Sequence, residues 1–361
     1  MGCDLLTFPK LGSEPGVVIG KFLSVTLVLF CLFSVASPAI ARDDEKPLQT
    51  FFIDVEGGQA TLFITPDGQS LLVDTGWPGN DGRDADRIVR IAKQAGLSRI
   101  NYVLITHYHM DHVGGLPQLV ARIPVETFID HGENREPNDP ETNKVWEAYQ
   151  KLLASSKFKR ITAKPGDILP VSGMHATVVS SDGSLIETPL PGAGAPNPAC
   201  QESETRPADQ TENLRSLGIL VEFGKLRILD LGDLTWDKEM ELMCPLNKIG
   251  KVGIYIVSHH GWQQSGSPAL VHGIEPRVAI MDNGAKKGGS PSSWDIIKHS
   301  PHLEDIWQLH FSDEGGKDHN STEQTIANPD GPDTGNYLRV NGNIDGSFSV
   351  FNSRTNKAKH Y

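Results

Sequence analysis

Cysteine is scarce in this chain, with four in 361 residues and none in a C-x-x-C pattern, so no thiolate metal site is expected. Cys3 and Cys31 fall in a stretch that reads as a leader, which leaves Cys200 and Cys244. Those two could pair in an oxidising compartment, but their spacing alone does not decide it. A basic excess is missing as well: 33 Lys and Arg stand against 45 Asp and Glu, a formal charge of −12. Non-specific grip on nucleic acid needs a phosphate-neutralising surface, so short of a local basic groove no nucleic-acid partner is expected. Long apolar runs are absent apart from residues 22–36, which are short for a membrane span. Lys21 precedes that run, and Pro38-Ala39-Ile40-Ala41 follows it before the charged Arg42-Asp43-Asp44-Glu45. This is the pattern of a secretory signal cleaved after Ala41, which predicts a secreted or periplasmic protein without a transmembrane span in the mature chain. No protein partner is indicated. Hydrophobic content of 38% and charged content of 22% suit a soluble domain with a real core, and residues 42–361 are read as one domain.

What is there is a succession of short apolar strands and amphipathic helices. Strands are expected at 51–55, 60–65 and 71–73, with Pro66-Asp67-Gly68-Gln69 as a hairpin turn. The helical spacing of Ile88, Ile91, Ala92 and Ala95 predicts a helix over 84–95, stopped by Gly96. A strand at 102–105, a helix at 116–122, a strand at 125–129 and a helix at 143–155 follow, then a strand at 176–180. Residues 186–213, with five prolines, read as a long surface loop. A second hairpin at 217–231, a helix near 238–243, strands at 253–257 and 278–282 and a helix at 294–298 come next. Residues 312–336 read as a polar loop, and 337–340 with 347–351 as a terminal hairpin.

Two parts of the chain follow one plan. Each hairpin ends in Asp-x-Gly, Asp74 with Gly76 and Asp230 with Gly232, and each is followed by a helix and a buried strand. Those strands end in Thr106-His107 and Ser258-His259. Two similar α/β halves would pack sheet on sheet with helices outside, and ligands would gather where the strand ends of both halves meet.

The strand at 102–105 delivers Thr106-His107-Tyr108-His109-Met110-Asp111-His112, three histidines and an aspartate within six residues. Imidazole and carboxylate are the ligands of a metal centre without thiolate, with zinc the first choice and manganese or iron also suited. His107 and His109, two apart at a strand end, can face one side, and Asp111 with His112 can face a point nearby. That suits two metals, with further ligands from the second half: Asp233, whose two oxygens could bridge them, and His259, which the repeat aligns with His107. His260 is left for catalysis or substrate, and Asp111 serves as ligand and catalytic carboxylate. Asp233 can also be read as a helix cap, and Lys287 as a solvated loop charge or an anion binder. A pair of ions would lower the pKa of a shared water and polarise a substrate oxygen.

The run His107-x-His109-x-Asp111-His112 resembles the signature of the metallo-β-lactamase superfamily, with Asp74-Thr75-Gly76, Gly232-Asp233 and a later histidine in the same order. The resemblance covers most of residues 50–310. More narrowly, the chain is similar to the branch that holds the hydrolase domain of competence (DNA-uptake) proteins and secreted phosphorylcholine esterases. That likeness rests on Asp54-Val55-Glu56-Gly57-Gly58-Gln59-Ala60, Asn213-x-x-Ser216, Gly232-Asp233, His259-His260-Gly261 and Asn283 before Gly289-Ser290-Pro291. It implies a four-layer αβ/βα sandwich and metal-dependent hydrolysis of a small ester, a phosphodiester above all. A nuclease and a non-catalytic metal-binding protein are the alternatives. It also implies substrate-side roles for Asn213, Ser216 and Asn283, beside which His131, at a strand end, and Lys287, as an anion binder, are expected on the substrate side.

Two departures stand out. Many members of the family carry a further metal histidine in a Gly-His-Thr turn before the bridging aspartate, and residues 178–183 here hold none. His131, also at a strand end, is the alternative for that place. Where the competence-protein pattern carries a histidine before proline, this chain has Ser290.

Overall fold

The computed structural model describes residues 46–155, 157–329 and 334–361. The expected leader lies outside the described residues. From the amino terminus the chain lays down β1 (Leu48–Phe52), β2 (Thr61–Ile64), β3 (Ser70–Val73), β4 (Ile100–Leu104), β5 (Val125–Asp130) and β6 (Lys159–Thr162). A second series follows: β7 (His175–Ser181), β8 (Ser184–Leu185), β9 (Gly218–Phe223), β10 (Leu226–Asp230), β11 (Ile254–Ile256), β12 (Val278–Met281), β13 (Asp305–His310) and β14 (Ile326–Asn328). The chain then returns to the first sheet with β15 (Leu338–Gly342), β16 (Phe348–Asn352) and β17 (Lys357–His360). The sheets have nine strands in the order β17-β16-β15-β1-β2-β3-β4-β5-β6 and eight in the order β14-β13-β12-β11-β10-β9-β7-β8.

The period-two alternation of the strands decides the layers. Leu71 and Val73 of β3 face the same core as Ile219 and Val221 of β9 and Ile254 and Ile256 of β11. Leu72 and Val103 turn the other way, onto Ile88, Ile91 and Ala92 of helix α1 (Arg83–Gln94). In the second half Leu229 and Tyr255 turn outward. They share a core with Leu242 of the helix Trp236–Met243, Leu270 of Pro268–Ile274 and Ile297 of Pro291–Lys298. The result is helix, sheet, sheet, helix, the four-layer sandwich, with the central core shared by both halves.

The two halves repeat one topology. An antiparallel hairpin, β2–β3 or β9–β10, is extended by parallel strands, β4 to β6 in one half and β11 to β14 in the other. Parallel strands send their carboxyl ends to one edge, where open α/β sheets place ligands. The strands at 48–52, 305–310 and 326–328 depart from expectation. The first ends at Phe52, so Ile53 to Val55 lead out of it as irregular chain. The last lies inside the stretch expected as a polar loop, where buried Ile326 and Ala327 supply enough apolar surface for a short strand beside β13. The helix expected from 143 begins at Pro140, because the Asp139 side chain accepts from the Thr142 N–H at 2.7 Å and caps it.

The proline-rich stretch 186–213 is tied down. Cys200 and Cys244 form a disulfide across 44 residues of sequence. The Asn197 amide donates to the carbonyls of Met243 and Ala269 at 3.1 and 2.8 Å. On chain-entropy grounds a loop of that size lends about 4 kcal/mol. Urea unfolding of the Cys200→Ser/Cys244→Ser protein is therefore expected at a clearly lower midpoint than the oxidised parent, and equal midpoints would show that the bond holds nothing together.

Candidate metal centre

The site lies where the carboxyl ends of β3, β4, β10 and β11 converge. After β4 the chain leaves the sheet through Thr106, and His109 opens the one-turn helix Met110–Val113, so His107 and His109 precede it and Asp111 and His112 sit on it. Thr106 meets the second half directly: its carbonyl accepts the Leu217 N–H at 2.8 Å. A Cβ on Gly232 would stand 2.9 Å from the Thr106 Cβ, and Gly232 has φ +56°. Only glycine allows that approach, and the next residue is Asp233. Beneath the site, the turn at Gly57-Gly58-Gln59 braces it. Gln59 donates from its backbone to the Asp111 carbonyl at 3.1 Å and from its side chain to Asp230 at 2.7 Å.

Asp233 is the centre of the arrangement and is buried. Its Oδ2 lies 3.2 Å from His112 Nε2, 3.4 Å from His259 Nε2 and 3.9 Å from His107 Nε2. Its Oδ1 lies 3.5 Å from His260 Nε2 and is buried without a hydrogen-bond partner among the described residues. Asp111 Oδ2 stands 3.3 Å from both His112 Nε2 and His260 Nε2. Asp111, His112, Asp233 and His260 thus form one compact donor group. His107 Nε2 and His109 Nδ1 form a second pair 3.0 Å apart.

The other nitrogen of each ring is already engaged. His112 Nδ1 faces Asp74 Oδ2 at 2.7 Å, and His260 Nδ1 faces Asp282 Oδ1 at 3.2 Å. His259 Nδ1 meets Ser265 Oγ at 3.3 Å, and His109 Nε2 meets Glu136 Oε2 at 3.0 Å. Thr106 Oγ1 donates to Asp74 at 2.6 Å and so accepts from His107 Nδ1 at 3.1 Å. A ring nitrogen facing an acceptor carries the proton, which leaves the opposite nitrogen with a lone pair. The remaining nitrogens therefore converge on Asp233 and on each other, at separations that a proton or a metal cation between them reconciles. Together with the orphaned Oδ1, this donor set of imidazoles and carboxylates without thiolate fits divalent metal.

The electrostatics say the same. Burial holds His107 well below the usual imidazole range and pushes His259 down to about 4, so both are neutral. Burial also works against charge on His112 and His260. There the Asp233 carboxylate, with Asp111 and Asp74 at His112 and Asp282 at His260, outweighs it, lifting His112 well up and His260 to about 9. The field calls for positive charge, which protons supply in the absence of other cations.

The residues expected on the substrate side divide. Lys287 reaches the site: its ammonium contacts Asp111 Oδ2 and lies 4.9 Å over the Trp77 ring. His131 is buried, bonded through Nε2 to Glu212 at 3.0 Å. Its role as the replacement ligand does not follow from its place, and it is His259 that stands beside Asp233 instead. Ser216 is buried behind the site, accepting the Asp233 N–H at 3.2 Å. Asn283 is buried, and its amide donates to the carbonyls of Gly284 and His310. Asn213 is half-buried, and its Oδ1 is without a hydrogen-bond partner among the described residues. His260, set aside from the ligands in the sequence reading, is in the compact donor group. His259 and His260 take consecutive left-handed conformations, φ +54° and +56°, which the strand–helix alignment of the two halves does not reveal. Glu136, Glu212 and Asp282 carry no local sequence signal. A second acid–histidine group, Asp54 with Glu56 and His310, already faces the Arg87 guanidinium. Asn320, formally in a glycosylation pattern, has its amide committed to the carbonyls of Ser312 and Gly316.

Residues 54–196 match the family model of the metallo-beta-lactamase superfamily. That stretch of the chain is a metallo-beta-lactamase superfamily match. The chain is 34% identical over 105 residues to a hydroxyacylglutathione hydrolase of Stenotrophomonas maltophilia, covering 29% of this chain and 37% of that protein. It is 24% identical over 282 residues to recombination protein 2 of Haemophilus influenzae, covering 77% of this chain and 29% of that protein. The chain thus spans well under half the length of either relative. Among solved structures, the metallo-beta-lactamase fold protein YhfI from Bacillus subtilis is similar at 16% identity and a TM-score of 0.43, over 72% of this chain and 96% of that one. The superfamily and the hydrolase-named relative agree with the expectation of a metal-dependent hydrolase. Among the described residues, no helix is long and apolar enough to cross a membrane.

Metal binding to this set must displace protons. With His260 raised to about 9, its Nε2 is protonated at neutral pH and must be freed before it can bind. Affinity for zinc or manganese is therefore expected to rise with pH from 6 to about 9 and then level. Calorimetry at pH 7 in buffers of different ionisation enthalpy is expected to show at least one proton released per chain, and a pH-independent affinity would contradict this.

Proposed function

We propose that the chain is a metal-dependent hydrolase that uses two divalent ions, zinc by preference with manganese or iron also suited, on a small ester, most plausibly a phosphodiester. One observation carries the reading: a single buried carboxylate, Asp233, stands between two histidine sets with one oxygen unpartnered. His107, His109, His259 and Asp233 would hold one ion, and Asp111, His112, His260 and Asp233 the other. Bound there, the pair would supply a nucleophile from water at neutral pH and Lewis acidity toward both oxygens of an in-line displacement.

The chain's own residues do the remaining work. Asp111 Oδ2, between two imidazoles, is placed to orient a water and take its proton. His260 is held in one orientation by Asp282. Lys287 offers a half-buried cation beside Asp111 for an anionic substrate oxygen, with the Trp77 ring as its support. A cation at that place suits a phosphodiester better than a neutral ester. We further infer that the protein works outside the cytosol, on the signal-like leader and on the disulfide, which persists in oxidising compartments.

A nucleic-acid substrate is the second reading, favoured by the alignment with recombination protein 2 along 77% of this chain. The charge of −12 opposes it. Turnover of bis-p-nitrophenyl phosphate by protein carrying about two ions is the expected result. Asp111→Ala and His109→Ala are expected to lose roughly 100-fold or more, beyond what outer partners of ligands cost. Metal-loaded protein inert toward every ester, a glutathione thioester included, would leave only a binding role. DNA cleavage with steep salt dependence would favour the second reading.

A further inference from the structure

Four of the five histidines at the centre are oriented by buried side chains: His107, His112 and His260 by Thr106, Asp74 and Asp282 just past strand ends, and His259 by Ser265 in the turn that follows it. His109 is the exception. Its partner Glu136 lies in the loop before the helix Pro140–Ala154, and both side chains of the pair are about a quarter exposed. An isolated pair at that exposure would fix little.

It is not isolated. The same Glu136 oxygen accepts the Glu212 N–H at 2.9 Å. Glu212 is fully buried, and its carboxylate is met by N–H groups. It accepts from the Tyr108 backbone at 3.2 Å, from His131 Nε2 at 3.0 Å and from the Arg135 backbone at 2.5 Å. It therefore grips the chain immediately before His109 and the loop that carries Glu136. The other end of the segment is fixed to the opposite half. The Arg206 guanidinium lies 3.5 Å over the Trp236 ring and donates to the Gln263 carbonyl. The Trp236 indole donates to the Glu204 carbonyl at 2.9 Å, and Gln263 lies in the turn that follows His259 and His260.

We propose that residues 204–212 are a positioning strap, in which Glu212, acting through Glu136, turns His109 Nδ1 toward His107 and so governs occupancy of the His107–His109–His259 site independently of its neighbour. The proposal rests on the metal-binding reading above. Glu136 and Glu212 are positioning residues: neither faces Asp233, and each acts through His109. The strap joins the two ligand-bearing turns along the outside, so loss of the Glu212 carboxylate leaves the Tyr108 and Arg135 N–H groups without their acceptor and frees His109 to rotate.

The test uses cobalt binding, the melting temperature of the metal-free protein and nitrogen-15 spectra of its histidines, on the wild type, Glu136→Ala and Glu212→Gln. The wild type is expected to bind two Co2+ ions, with His109 protonated on Nε2 before metal is added. Glu136→Ala, at a partly exposed position, is expected to melt like the wild type. It should lose about 10- to 100-fold in affinity for one ion with the other unchanged, and lose the Nε2–H preference of His109. Glu212→Gln should show the same split. Should it fail to fold, Glu136→Ala alone decides. Two ions bound with wild-type affinity in a folded Glu136→Ala protein would overturn the strap, as would equal weakening of both. If the wild type took no metal, the functional reading would fail. The spectra would still judge the strap, because an unchanged His109 tautomer in both variants overturns it.

Discussion

The structure turns on the approach of Thr106 to Gly232. The two halves meet there with a backbone hydrogen bond from Leu217 and with no room for a side chain, and the next residues on the two sides are His107 and Asp233. Any residue larger than glycine at 232 would push the strand ends apart. Asp233 Oδ2 already stands 3.9 Å from His107 Nε2, so any widening carries the two further apart. The metal centre is thus a property of the junction. Each half contributes part of the donor cluster, and the central core of Leu71, Val73, Ile219 and Ile254 holds the two in register.

That junction concentrates charge where water is absent. Asp74, Asp111, Asp233 and Asp282 are all buried within reach of His112 and His260. Taking any one of these groups from water is costly, and removing one partner strands the others. The arrangement is tolerable because each carboxylate faces an imidazole and each imidazole faces a carboxylate or hydroxyl on its far side. Backbone strain accompanies it. Asp74, His259 and His260 all take positive φ without being glycine, at an order of 1–3 kcal/mol each. Consecutive left-handed residues at 259 and 260 give two adjacent histidines access to the same aspartate from different directions. A regular helix or strand could not do this, since adjacent side chains there diverge.

Much of this was legible in the sequence, and the boundary has a physical cause. The sandwich followed from strands of period two and helices of period 3.6, and the repeat of Asp-x-Gly hairpins placed both sets of strand ends at one edge. The cluster at 107–112 followed from local chemistry, since a strand end exposes successive residues to the same space. What could not be read was whatever depends on a conformation that no periodicity encodes. His259 was favoured over His260 because the repeat aligned it with His107, but the turn at 259–260 is left-handed and brings both toward Asp233. Ser216 and Asn283 were placed on the substrate side by the family resemblance, and in the structure both are buried in hydrogen bonds that hold Asp233 and the 283–310 junction. The short strand β14 hid in a polar stretch because three residues are too few to show alternation.

The same reasoning explains why the donors beside Asp233 come from both halves. On the His107 side, His259 stands beside Asp233. At the end of β5, Asp130 is held by Tyr149 and Arg160, and the next residue, His131, by Glu212. The second half has a tandem histidine at the end of β11, so one turn can serve both positions. Donors drawn from both halves make the cluster depend on how the halves are joined. The chain joins them twice, inside through Thr106 and Gly232 and outside through the segment from Arg206 to Glu212. The inner contact sets the separation of the strand ends, and the outer one sets the orientation of the ligand that buried side chains do not hold.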